Sequence, residues 1–246
     1  MIGGTLYALG LGPGDPDLMT VRARHLLERV PALFAPVRHA GGRSYILDGV
    51  SHLVDASRQS VELLPFPPNG VGWHEPVKRI VARLADGDAA FLTEGDPLFY
   101  STFIGVVAVL RRCYPMVPVR VVPGVASPMA AAALAGLPLA DHEQRLAVLP
   151  AMHAMDVLPD VLRRFDTVVL LKVAPVLATV LDELERAGLG DRAVHVRRVG
   201  RPQQAVTVGT AAIRSAAPEI ASDYFSLLIV HPSARCEPEL GANCCS

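Results

Sequence analysis

The chain has 246 residues, of which 51% are apolar, and a formal net charge of −1 at pH 7. That length accommodates one α/β domain or two of about 120 residues each, with enough apolar material for a sizeable core. The balanced charge leaves no footprint for a nucleic acid, no apolar run approaches the roughly 18 residues of a membrane span, and no basic segment followed by an apolar one marks a secretory leader. The cytoplasm is therefore the expected compartment.

The first predicted element is a buried strand, "TLYALGL" over 5–11, that runs into "GLGPGDPDLMT" and then a helix over 21–30. A strand entering closely spaced glycines suggests a phosphate cradle, but the spacing argues otherwise. Gly10, Gly12 and Gly14 give G-x-G-x-G, not the dinucleotide fingerprint, and Pro13 and Pro16 remove two amide donors. A phosphate loop needs Lys followed by Ser or Thr where this chain has Asp15-Pro16, and Asp15 repels a phosphate. The turn suits a ligand without phosphates, or serves only as a tight strand-to-helix connection.

Further buried strands are predicted over 31–36, 88–95 and 118–124, with helices over 44–56, 75–85, 102–112 and 127–135. Such alternation implies a mainly parallel sheet covered on both faces. After Pro138–Gln144 the pattern restarts, with strands over 145–151, 167–173, 192–199, 205–210 and 225–231 and helices over 157–164 and 176–187. The last three strands lack a long intervening helix, which predicts a mixed sheet. The expected organisation is an N-terminal α/β domain over 1–139, a C-terminal α/β domain over 145–235 and a flexible tail over 236–246. Cys113 falls in a helical run, while Cys236, Cys244 and Cys245 lie in the tail without C-x-x-C spacing, so no metal site is expected.

Ligands of open α/β sheets bind beyond the carboxyl ends of the strands, and the unusual residues gather at those ends. They are the opening turn, "TEGDPLFYST" over 93–102, "VVPGVASPMAAAA" around Gly124, and "LLKVAP" over 170–175. Plain structural readings exist for some of them: Asp96 as the cap of the following helix and Ser127 as another cap, each worth about 1 kcal/mol. Lys172 is different, because a charge ending an apolar strand is costly to bury unless it is paired or used.

Taken together, "GLGPGDPDLMT", "TEGDPLFYST", "VPGVASPMAAAALAGLPL" and "LLKV" resemble the successive motifs of the tetrapyrrole methyltransferases, in order and over nearly the whole chain. The resemblance implies two α/β domains of the tetrapyrrole methylase type, with a cofactor cleft between them, and S-adenosylmethionine as cofactor. It implies cofactor contacts at Pro13, Gly95, Asp96, Pro97, Ser101, Thr102, Ala126, Ser127 and Val173, and at Arg198 and Ser226 on later strand ends. "EGDPLFYSTF", "LAVLPA", "RPQQAV" and "DYFSLLIV" resemble the branch that methylates carbon 20 of precorrin-2, or its cobalt-containing counterpart cobalt-factor II. Ala126 departs from the serine that many members carry, removing a hydroxyl from the cofactor's reach.

Methyl transfer of this kind is an in-line displacement in which positioning supplies up to roughly 7–11 kcal/mol. Glu94 or Asp96 is expected to stabilise developing positive charge or accept a proton, and Lys172 and Tyr224 to orient the macrocycle. Its many carboxylates call for a basic lining, with Arg22, Arg43, Arg197, Arg198 and Arg201 as candidates. Alternatives are a family member acting on another carbon, as in uroporphyrinogen III or precorrin-4, or on a diphthine precursor or ribosomal RNA. A non-enzymatic adenosyl-ligand sensor is a further one. The resemblance also favours a homodimer.

Overall fold

The computed structural model describes residues 3–68, 70–220, 223 and 225–232. The Cys236, Cys244 and Cys245 tail and Tyr224 lie outside the described residues. The chain forms two compact units, Met1–Ser127 and Pro128–Ser246; the Pro138–Gln144 segment falls in the second of them.

The first unit contains β1 (Leu6–Gly10), α1 (Val21–Arg29), β2 (Ala32–Val37), α2 (Tyr45–Val50), β3 (Ser60–Pro65), α3 (His74–Arg83), β4 (Ala89–Thr93), α4 (Thr102–Cys113) and β5 (Val119–Val122). The strands form one sheet in the order β3-β2-β4-β1-β5, and every pairing is parallel. Parallel strands covered on both sides need continuous apolar sequence. β4 accordingly reads Ala-Ala-Phe-Leu-Thr and is buried throughout.

One face of this sheet packs Leu6, Ala8, Phe34 and Phe91 against Val77 and Ile80 of α3 and Phe103, Val106 and Leu110 of α4. The other packs Leu9, Leu33 and Leu92 against Ala23 and Leu27 of α1 and Val50 of α2. On the first face α4 has a glycine where its neighbour demands one. A Cβ on Gly105 would lie 1.8 Å from Trp73 Cζ3, so the indole fits the helix only because that side chain is missing. Trp73 Nε1 donates to the Pro67 carbonyl at 2.7 Å, and its ring meets Phe66 edge-on with centroids 5.2 Å apart.

Since α1 and α4 cover opposite faces, the connections leaving the adjacent strands β1 and β4 diverge. That divergence marks the topological switch point of the sheet, where a crevice opens. Both glycine-containing turns sit there.

The helix α5 (Ser127–Ala135) leads into the second unit, followed by β6 (Leu146–Pro150), α6 (Leu158–Arg164), β7 (Thr167–Leu171), α7 (Leu177–Arg186), β8 (Ala193–Arg197), β9 (Ala205–Val208), α8 (Thr210–Ser215), α9 (Ala217–Ile220) and β10 (Ser226–Val230). This sheet is mixed, in the order β6-β7-β10-β8-β9: β6 and β7 run parallel, and the other pairings are antiparallel. Its core joins Val168, Leu170, Leu228 and Val230 to apolar residues of α6, α7, α8 and α9.

Several boundaries differ from those read in the sequence. β3 was not among the predicted strands. The strand predicted to Val173 stops at Leu171 and the one predicted to Val199 stops at Arg197, because the next residues, Lys172 and Arg198, turn left-handed with φ of 56° and 50°. The strand expected to reach Thr210 ends at Val208, since Gly209 (φ 81°) turns the chain into α8.

Candidate active site

In the first unit three turns converge at the carboxyl ends of the central strands. The turn after β1 is pinned to the turn after β4 by a bridge between Gly12 and Gly95, with the Gly95 N–H donating to the Gly12 carbonyl at 2.7 Å. Gly12 (φ 78°) and Gly95 (φ 68°) both use left-handed backbone, which glycine adopts without the Cβ penalty. The Thr93 hydroxyl, buried, donates to the Leu9 carbonyl at 2.8 Å and ties the two strand ends below.

The third turn, after β5, closes against the other two backbone to backbone. A Cβ on Gly124 would stand 2.2 Å from the Gly95 carbonyl oxygen and 2.8 Å from Gly10 Cα. One on Gly10 would stand 2.5 Å from the Gly124 nitrogen. Gly10, Gly95 and Gly124 are thus one stack of side-chain-free backbone drawn from three connections.

Asp96 locks the stack. Its Oδ2 accepts from the Gly124 N–H at 3.1 Å and its Oδ1 from the Leu98 N–H at 2.8 Å. The helix cap that the sequence suggested for Asp96 belongs instead to Ser101, whose Oγ accepts from the Phe103 N–H at 3.1 Å at the start of α4. Asp15 likewise serves the chain itself, accepting from the Asp17 N–H at 2.9 Å.

Beyond Gly95 the surface is made of main chain. The nearest atoms to a Cβ built there are Ala126 Cα at 3.8 Å, the Val125 oxygen at 3.9 Å and the Ser127 nitrogen at 4.0 Å. Pro13, Gly95 and Pro97 are buried, and Glu94, Asp96, Ser101, Thr102, Ala126 and Ser127 are half-buried around them. The structure thus brings Gly95 and Asp96 against the Gly124–Ser127 backbone, whereas Arg22 is exposed and Arg43 is exposed and bonded to Asp48 at 2.5 Å. A cradle with backbone walls, two prolines without N–H and an aspartate does not suit a phosphate. It fits the adenosyl and amino-acid parts of S-adenosylmethionine, a ligand held by shape and main-chain contacts.

The second unit gathers Lys172, Val173, Arg198 and Ser226 at the ends of β7 and β8 and the start of β10. The Lys172 N–H donates to the Ser226 carbonyl at 3.0 Å and the Arg198 N–H to the Phe225 carbonyl at 2.8 Å. Val173 is fully buried, and Ser226 is buried with its Oγ lacking a hydrogen-bond partner among the described residues. Sequence reasoning missed Asp223, which is buried and receives Arg198 Nε at 2.7 Å. An aspartate in a polar stretch carries no signal of its own.

His195, within β8, was also not singled out. Burial pushes its pKa down to about 4, the Arg197 charge acts in the same direction, and Asp223 opposes both. Among the described residues there is no group of three or more His, Cys, Asp or Glu placed to hold a metal ion. None of their helices is long and apolar enough to cross a membrane.

The family model for the tetrapyrrole (corrin/porphyrin) methylases matches residues 5–213. The chain belongs to this family. Among its relatives in the family are the cobalt-precorrin-2 C(20)-methyltransferase of Salmonella typhimurium, 35% identical over 76% of this chain and 80% of that one, and the precorrin-2 C(20)-methyltransferase of a Sinorhizobium species, 30% identical over 92% and 95%. Solved structures of tetrapyrrole methylases share the fold. The cobalt precorrin-4 methyltransferase CbiF superposes with a TM-score of 0.72 at 22% identity, covering 92% of this chain and 94% of its own. The uroporphyrin-III C-methyltransferase of Thermus thermophilus, complexed with S-adenosylhomocysteine, gives 0.64 at 25% identity, covering 93% and 97%.

Proposed function

We propose that this tetrapyrrole methylase transfers a methyl group from S-adenosylmethionine to carbon 20 of precorrin-2, or of its cobalt-containing counterpart, during construction of the corrin ring. The observation that carries the reading is the 30% identity to a precorrin-2 C(20)-methyltransferase over 92% of the chain and 95% of that relative. The backbone-walled cradle after β1, β4 and β5 supports the choice of cofactor, as does the S-adenosylhomocysteine bound by the Thermus thermophilus neighbour.

When bound, S-adenosylmethionine supplies an electrophilic methyl group on a sulfonium. The residues proposed to hold it are Pro13, Gly95, Asp96, Pro97, Ser101, Thr102, Ala126, Ser127 and Val173. Asp96 acts on the cradle by fixing the Gly95 turn to the Gly124 turn, so its substitution moves the walls. Glu94, two residues earlier in the chain, is the proposed carboxylate for the positive charge that develops on the substrate or for the departing carbon 20 proton. Lys172 is proposed to orient the anionic macrocycle, and the same role for Tyr224 rests on the family resemblance alone. We also propose that the protein is cytoplasmic and forms a homodimer; light scattering of the purified protein tests the second point.

A product assay decides the activity. Purified protein, cofactor and either metal-free precorrin-2 or cobalt-factor II should yield the carbon 20 methylated product with at least one of the two. Methylation at another position, or turnover of uroporphyrinogen III instead, overturns the proposal. The second outcome is the alternative that the Thermus thermophilus neighbour favours.

A further inference from the structure

The connection from β1 to α1, residues 11–20, forms an arch. Leu11 and Met19, one near each foot, are buried in the core below. A single 3-10 turn over Pro16–Leu18 brings Leu18 back over Gly12, where a Cβ would lie 3.0 Å from the Leu18 oxygen. Pro13, a proposed cofactor contact, lies on the span between the feet. The near foot is pinned to the turn after β4, because the Gly95 N–H donates to the Gly12 carbonyl at 2.7 Å. The far foot is Thr20, whose hydroxyl donates to the Pro123 carbonyl at 3.4 Å. Pro123 precedes Gly124, the residue of the turn after β5 that Asp96 holds at 3.1 Å.

These bonds close a ring. The β1 connection is tied to the β4 turn through Gly12 and Gly95, and the β4 turn to the β5 turn through Asp96 and Gly124. Pro123 and Thr20 then tie the β5 turn back to the β1 connection. Each turn is thereby held by both of the others, and the span that carries Pro13 is fixed at both feet. Thr20 also has a local duty as the N-cap of α1, its Oγ1 accepting from the Ala23 N–H at 3.2 Å. A cap needs only an acceptor. A hydroxyl is acceptor and donor at once, and here the donor half reaches across 103 positions of sequence to another turn. An aspartate would cap α1 as well but has no proton for the second bond.

We infer that Thr20 is a positioning residue for the cofactor, acting through the turns it joins and not by contact. The inference rests on the reading of the three-turn cradle as the cofactor site. Without the Thr20 donor the ring is open at one link, and the Pro13 span and the Gly124 turn move independently. The bond is long for an O–H···O contact and lies at the surface, so the expected effect on affinity is modest.

The test measures S-adenosylhomocysteine affinity by calorimetry and melting temperature by scanning fluorimetry, on the full chain carrying Thr20→Ser, Thr20→Asp, Thr20→Gly or Thr20→Ala. Serine keeps both bonds and should bind within about twofold of the parent. Aspartate and glycine both lose the donor, and glycine does so without adding a charge. Each should raise the Kd about threefold to tenfold, the range for one neutral hydrogen bond. Alanine loses the donor too, so its Kd should match theirs. Its missing cap should put its melting temperature about 2–4 °C below that of Thr20→Asp. Affinity then follows the donor while stability follows the cap. Parental affinity in Thr20→Gly, or a loss confined to the charged Thr20→Asp, assigns Thr20 to the cap alone and overturns the inference. So does a Thr20→Ser protein that binds as weakly as Thr20→Gly. Should Thr20→Asp fail to fold, Thr20→Gly decides, since glycine at a cap costs the helix little. A parent that does not bind S-adenosylhomocysteine overturns the cradle reading and the inference together. A parent that binds beside an unaffected Thr20→Gly overturns the inference alone.

Discussion

Replacing Gly124 with alanine adds a single methyl group at the tightest point of the glycine stack. Its carbon would sit 2.2 Å from the Gly95 carbonyl oxygen and 2.7 Å from the Gly10 carbonyl carbon. Carbon contacts settle at roughly 3.5–4.0 Å, so one of the two turns must retreat by on the order of 1 Å. Both obstacles are backbone, and no rotamer change relieves them. Overpacking of this kind costs about 1–3 kcal/mol, and loss of the Asp96 Oδ2 bond to the Gly124 N–H adds about 1 kcal/mol. At about 2–4 °C per kcal/mol for a chain of this size, the combined loss of about 2–4 kcal/mol should lower the melting temperature by roughly 4–16 °C. The displaced turn also moves the cradle wall, so S-adenosylhomocysteine should bind more weakly, and methyl transfer, which depends on alignment, should slow by up to about a hundredfold. Differential scanning fluorimetry and calorimetric titration with S-adenosylhomocysteine measure the losses of stability and affinity. Gly3→Ala is the control, since its Cβ would find the Ala85 oxygen at a comfortable 3.8 Å. A Gly124→Ala protein with parental melting temperature and parental Kd would refute the backbone-stack account of the cradle.

Gly95→Val should keep the fold but lose cofactor affinity by tenfold or more, because valine resists φ of 68° and its methyl groups enter the space beside Ala126; an unchanged calorimetric Kd would make the turn merely structural. Lys172→Met should leave S-adenosylhomocysteine binding intact while kcat/KM falls about tenfold to a hundredfold, so parental kinetics would end the functional claim for that charge. His195 gives a pH signature. Its pKa is near 4 folded against an ordinary 6.5, so the unfolded chain binds the proton more readily. That contribution is fully present above pH 6.5 and is lost as pH falls toward 4, about 3 kcal/mol in all. His195→Leu should flatten the acid limb of a stability-against-pH curve from urea titrations; an equally steep limb would assign the loss to other groups, the buried His231 among them.

The parts of the molecule legible in the sequence were those where local chemistry and tertiary demand agree. β1, β2 and β4 are buried on both faces, and their apolar runs announced them. β3 went unread because it is an edge strand. Val61 and Leu63 are partly exposed, Glu62 sits between them and Pro65 ends it, so its "SVELLP" carries neither a clean alternation nor a solid apolar run. α8 and α9 span six and four residues, too short for helical periodicity, and form where Ile213 and Ile220 reach the core of the second unit.

The candidate site divides in the same way. Turns rich in glycine and proline were visible as turns, and Gly95 was placed in the cradle from its motif. What could not be read was that Gly10, Gly95 and Gly124 touch, because contact between residues so distant in the chain follows only from strand order. Left-handed backbone at Lys172 and Arg198 was equally hidden, since neither residue type favours it.

The notch that Gly105 leaves for Trp73 has a practical consequence for anyone watching this protein unfold. The chain contains one tryptophan, and it lies in the first unit, wedged between Phe66 and α4 with its N–H bonded to a carbonyl. Indole emission is therefore a domain-specific optical signal, silent on the second unit, whereas far-ultraviolet dichroism sums the helices and strands of both. Overlaid denaturation curves from the two methods would report one cooperative transition. Separated curves would time the loss of the all-parallel sheet against that of the mixed one, with no label introduced into either.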